Sequence, residues 1–72
     1  MPRKSRREDI LRAGKKVFAE KGFQKTTVED ILRESGVARA TFYSYFDSKK
    51  DLYVEILRGI LDQLYHIASE SL

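Results

Sequence analysis

The groups in this chain that can do chemistry concentrate between Thr27 and Leu52, in the stretch TVEDILRESGVARATFYSYFDSKKDL. They are donors rather than nucleophiles: Arg39, Thr41, Tyr43, Ser44, Tyr45, Lys49 and Lys50 follow one another within a dozen positions. Cations, phenols and hydroxyls at this density suit the binding of anions and of hydrogen-bonding edges. The sets that catalysis needs are missing. There is no cysteine, and His66 is the single histidine, so neither thiolate chemistry nor a metal site can be assembled. The carboxylates are scattered and form no acid/base pair. The sequence is read as non-enzymatic, with no catalytic residue, no metal and no cofactor.

The elements that must hold these groups are helices. Ser5 with Glu8 three residues on is a capping-box pair, so a first helix begins at Arg6, burying Ile10, Gly14, Val17 and Phe18. Gly22 ends it. If that glycine is left-handed, Phe18 and Phe23 meet across a Schellman turn. Thr26 or Thr27 caps a second helix, each with an acid three residues later (Glu29, Asp30), with Val28, Ile31 and Leu32 as its apolar face. Gly36 closes it, pairing Leu32 with Val37. A short third helix runs from about Ala38 to Tyr45. Ser48, with Asp51, caps a fourth whose Leu52, Ile56, Leu57, Ile60, Leu64 and Ile67 recur at helical spacing. The expected class is all-α, without strand, repeat or linker: a three-helix, homeodomain-like helix-turn-helix bundle plus the start of a longer connecting helix.

With Phe42 placed in the core and about a hundred degrees per residue, Ala38, Tyr45 and Phe46 fall on the buried side of the third helix. Ala40, Thr41, Tyr43 and Ser44 then point outward, with Arg39 on the flank. Short side chains at Ala40 and Ser44 let a backbone approach base edges in a DNA major groove. There, Arg39 reaches guanine O6 and N7, and the methyls of Ala40 and Thr41 touch thymine. Tyr43 suits a phosphate. For any one of these side chains a solvated surface is the ordinary explanation. For the set it is not, because water gives no reason to keep an outward face so small and charge-poor beside tyrosines.

Charge points the same way. Seventy-two residues carry a net +3, but the distribution is uneven. Up to Lys50 there are thirteen bases against seven acids, a net of +6, and beyond it one base against four acids, a net of −3. The basic front half suits a polyanion and the acidic back half faces away from it. Paired cations also open two helices, Arg6–Arg7 and Lys49–Lys50, where the helix dipole disfavours them by about 0.3–1 kcal/mol each. Neither Lys49 nor Lys50 has an acid four residues on, so a phosphate at these termini is expected to offset the cost. For Lys50 alone a solvated lysine accounts equally well.

Thr27, Ile31, Gly36, Val37, Thr41, Phe42, Tyr43, Tyr45, Phe46, Lys49 and Leu52, preceded by Phe18 and Gly22, resemble the amino-terminal domain of TetR-type (tetracycline-repressor-like) transcriptional regulators. The resemblance spans residues 4–64, with the helix-turn-helix at about 27–46, and leaves 65–72 as the end of a connecting helix. It implies that residues 38–45 are the recognition helix. Arg39, Ala40, Thr41 and Ser44 match groove-facing positions, and Thr27, Tyr43 and Lys49 match positions that hold phosphates. Tyr45 and Lys25 join that phosphate set, and Arg3, Lys4, Arg6 and Arg7 form a basic amino-terminal arm. Leu32 and Ser35 stand where the family usually has alanine, Ala38 replaces a frequent serine cap, and Ala40 a frequent glycine.

By the same resemblance the partner is double-stranded DNA at a palindromic operator, repression is the usual mode, and the setting is the cytoplasm of a bacterium or archaeon. The family's homodimer and its small-molecule inducer belong to a carboxy-terminal domain to which nothing in this chain corresponds, so the chain is expected to be part of a longer regulator. No apolar run approaches membrane-span length. The alternative is a helical module for protein interaction or membrane surfaces that uses the amphipathic fourth helix, against which its acidic residues argue.

Overall fold

Capping pairs start three of the helices, and the buried stripe of each is a few residues wide. In the computed structural model, which describes residues 5–71 and the side chains of 5–69, α1 (Arg6–Lys21), α2 (Val28–Ser35), α3 (Arg39–Tyr45) and α4 (Lys49–Ser71) are the helices, and no strand occurs among the described residues. Ser5 Oγ accepts from the Glu8 N–H at 3.1 Å. Thr27, not Thr26, caps α2: its Oγ1 accepts from the Asp30 N–H (3.1 Å) while Asp30 Oδ2 accepts from the Thr27 N–H (3.0 Å). Ser48 Oγ accepts from the Asp51 N–H at 3.2 Å. Ala38 offers α3 no side-chain cap.

Thr26 has a different job. It is buried, and its hydroxyl donates to the Gly22 carbonyl at 2.7 Å, closing the turn between α1 and α2 from inside. Gly22 departs from the expected Schellman geometry. Its φ of 82° is positive but its ψ is 161°, a region open essentially to glycine alone, because the chain must swing out into the 23–25 turn rather than fold back over the helix end. Phe18 and Phe23 nevertheless stack at 5.8 Å, and Tyr53 closes the cluster edge-on to Phe18. Gly36 is left-handed (φ 73°, ψ 14°) and donates to the Leu32 carbonyl at 2.9 Å, as a helix-ending glycine should.

Ile10, Ala13, Phe18, Ile31, Val37, Phe42, Phe46, Leu52 and Ile56 make one core. Phe42 is fully buried and is the side chain by which α3 is held to the rest. Gly14 sits where α1 meets α4: a Cβ there would lie 2.8 Å from Leu52 Cδ2. Beyond Ile56 the apolar side of α4 is uncovered, with Leu57, Ile60, Leu61, Leu64 and Ile67 all exposed. No helix among the described residues is long and apolar enough to cross a membrane.

Candidate nucleic-acid interface

α3 presents a stripe of Arg39, Ala40, Tyr43 and Ser44, all exposed, with Ala40 and Ser44 farthest round the helix from the buried Phe42 and with Arg39 and Tyr43 on its flank. Thr41 is half-buried at the edge of this stripe. Tyr45 and Ala38, expected on the buried side, are exposed. The contact made by a two-turn helix is narrow: the rings of Phe42 and Phe46 fill it, Ala38 lies before the helix in extended backbone, and Tyr45 is left on the flank. Tyr45 therefore adds a phenol to the outer surface. Tyr43 is braced edge-on against Phe42, with ring centroids 5.1 Å apart, which limits how far the phenol can wander.

Two polar side chains of this stripe, Arg39 and Ser44, have local partners, and these define what each can offer. Arg39 is ion-paired with Glu29 in the first turn of α2. Both side chains are about half exposed, and such pairs contribute about 0–1 kcal/mol, so a guanine edge can displace Glu29. Ser44 Oγ donates to the Thr41 carbonyl at 2.6 Å, so toward a base it serves as an acceptor, for instance from an exocyclic amino group. Thr27 is exposed and its Oγ1 is an acceptor within the cap, which leaves its proton for an outside oxygen.

Asp30 ties this region together. Besides the cap, its carboxylate is 3.0 Å from Lys21 Nζ and 3.5 Å from Arg33. The hydrogen bond from Lys21, then that from the Thr27 backbone, holds its carboxyl below the ordinary value. Nothing in the sequence marked Asp30 as more than a capping residue, nor Glu29 as the partner of Arg39.

Of the cations at helix starts, three have intramolecular partners. Arg6 pairs with Asp9 (3.8 Å), and Arg7 pairs with Glu55 of α4 (3.4 Å) and lies over the Phe46 ring at 5.8 Å. These two belong to the first turn of α1 rather than to an arm, while Arg3 and Lys4 lie outside the described residues. Lys49 Nζ donates to the carbonyls of Phe23 (2.7 Å), Thr26 (2.8 Å) and Gln24 (3.3 Å) and sits 4.4 Å from the centroid of the Phe23 ring. No acid of α4 pairs with Lys49, as the spacing predicts; its partners are carbonyls more than twenty residues earlier, whereas Arg6 is offset within its own helix and Arg7 from α4. Lys50, and Lys25 in the turn, are exposed. Among the described residues no group of histidines and carboxylates could hold a metal ion.

Residues 10–56 match the model of the tetR family of bacterial regulatory proteins. The chain belongs to that family. Among relatives, this tetR-family chain is 43% identical over 60 residues to the HTH-type transcriptional repressor KstR2 of Rhodococcus jostii, covering 83% of the chain and 29% of that protein. It is 41% identical over 58 residues to the HTH-type transcriptional regulator YfiR of Bacillus subtilis (81% and 28%). To the HTH-type transcriptional activator FasR of Mycolicibacterium smegmatis it is 33% identical over 64 residues (89% and 29%). The chain thus spans less than a third of the length of these relatives. All three are named as transcriptional regulators, none as an enzyme. No solved structure matches.

Proposed function

We propose that this tetR-family chain is the DNA-binding part of a transcriptional regulator, reading duplex DNA with α3 in the major groove. The observation that carries the reading is the outer stripe of α3: small and hydrogen-bonding side chains over a Phe42–Phe46 anchor, with Arg39 held by an exposed partner it can exchange. Arg39, Ala40, Thr41 and Ser44 meet base edges, while Thr27, Tyr43, Tyr45 and the exposed Lys25 meet phosphates. The relatives named as repressors favour repression as the mode. The helix-turn-helix occupies about 27–46 within a domain of 4–64, and residues 65–72 continue a connecting helix. Homodimerisation on a palindromic operator and control by a small inducer belong to the remainder of a protein of the relatives' length. Work on chromosomal DNA sets the protein in the cytoplasm.

The test is fluorescence anisotropy with two labelled targets, a random-sequence duplex and anionic phospholipid vesicles. Binding to the duplex that weakens steeply with salt supports the proposal. Binding to vesicles alone would favour the membrane-surface alternative built on α4.

A further inference from the structure

Lys49, half-buried, is the cation of the phosphate set whose ammonium donates to the protein itself. Three carbonyls from a single turn, those of Phe23, Gln24 and Thr26, converge on Nζ at 2.7–3.3 Å, and the Phe23 ring lies beneath it at 4.4 Å. An ammonium has three donors, and three are used. The side chain spans from the first residue of α4 to a turn more than twenty residues earlier in the chain.

The bonded carbonyls decide where the neighbouring groups face. In a planar trans peptide C=O and N–H point opposite ways, so drawing the Thr26 carbonyl toward Lys49 turns the Thr27 N–H away from it, toward Asp30 Oδ2 at 3.0 Å. That bond is one half of the cap that starts α2. The turn carries Lys25 at its exposed side and leads directly into Thr27. Without a cation at their centre the carbonyls of Phe23, Gln24 and Thr26 would converge on one point with like partial charges.

We infer that Lys49 is a positioning residue: it fixes the turn between α1 and α2, and through it the aim of Lys25 and Thr27, and does not itself hold a phosphate. The inference rests on the DNA-binding reading for its consequence, while its structural half is independent of DNA.

The test compares wild type with Lys49→Met, which keeps the length and loses the charge. Amide hydrogen exchange is read at residues 23–27 against Val17 and Phe18 in the same sample, and affinity for a random-sequence duplex is read across a salt series. Circular dichroism confirms that both proteins are folded. The expected result is selectively faster exchange in the turn and an affinity loss of about tenfold if the turn is ordered a tenth of the time, with the slope of log affinity against log salt unchanged. A turn exchanging as in wild type, together with a slope shallower by about 0.9, would overturn the inference, because one phosphate contact would then have been lost directly. If Lys49→Met does not fold, Lys49→Arg serves instead: its charge satisfies a phosphate, but its planar fork cannot place three donors on three converging carbonyls. Full affinity in the arginine variant with a loosened turn contradicts the inference; reduced affinity at unchanged slope supports it. Should wild type bind no duplex, the functional reading fails, and the exchange data alone decide whether Lys49 holds the turn.

Discussion

The same substitution at two helical glycines should have opposite signs. Alanine is favoured over glycine in a helix interior by about 1 kcal/mol. At Gly59 of α4 nothing lies within 4 Å of the position a Cβ would take, so Gly59→Ala should gain about that amount. At Gly14 the new Cβ would sit 2.8 Å from Leu52 Cδ2 and 3.0 Å from Ile56 Cδ1. Leu52 is fully buried and Ile56 nearly so, and neither can swing into solvent. Inserting a methyl into a filled contact costs about 1–3 kcal/mol, so after the helical gain Gly14→Ala should lose between nothing and about 2 kcal/mol. In a domain of this size about 1 kcal/mol moves the midpoint by roughly 4–8 °C, so the two variants should melt on opposite sides of wild type or, at the least, several degrees apart. Thermal unfolding followed by far-UV circular dichroism measures this directly. A Gly14→Ala variant as stabilised as Gly59→Ala would mean that α1 and α4 do not approach this closely, and that Gly14 does not set their crossing.

Other outcomes rest on single contacts. Phe42→Ala removes the buried anchor of α3 and should cost about 3–5 kcal/mol, enough to abolish cooperative unfolding in so small a chain; urea titration checks it. Thr27→Ala deletes one half of the α2 capping box and should cost about 0.5–2 kcal/mol in the same assay. Arg39→Ala should lose about 1–3 kcal/mol on a selected DNA site and little on random duplex, and equal losses on both would remove Arg39 from base reading. Asp30 should make the fold acid-sensitive. Because its carboxyl is held below the ordinary value, the unfolded chain takes up the proton first, so this stabilisation is present at neutral pH and is lost as pH falls below the ordinary carboxylate range. Asp30→Asn should flatten that part of the pH–stability curve, and an unchanged acid limb would dismiss the Lys21 contact as its cause.

The features legible in the sequence were local. Ser5 with Glu8, Thr27 with Asp30 and Ser48 with Asp51 are pairs three residues apart, and each marked a helix start because a cap is completed within one turn. Phe42 and Phe46, four apart, marked the inner face of α3. The departures share an origin in the spatial surroundings of a residue, which its neighbours along the chain do not specify. A glycine after a helix announces a positive φ, but the path of the next element sets ψ, and at Gly22 that path required an extended value. Helical angles put Tyr45 and Ala38 inward, but they do not say how wide the receiving core is. The place of Lys49 at a helix start points toward an anion, yet its partners are carbonyls more than twenty residues away, and carbonyls leave no mark in a sequence. The pairing of Arg39 with Glu29 across the glycine turn is invisible for the same reason.

The central claim, that the outer stripe of α3 reads base sequence, is tested most directly by selecting binders from a pool of random-sequence duplexes and titrating the enriched sequence against a scrambled version of it. The expected result is enrichment of a short motif, tighter binding to it than to the scramble, and loss of that difference in Arg39→Ala. A folded chain that retains no duplex in dilute buffer, or that binds the enriched and scrambled sequences alike, would contradict it.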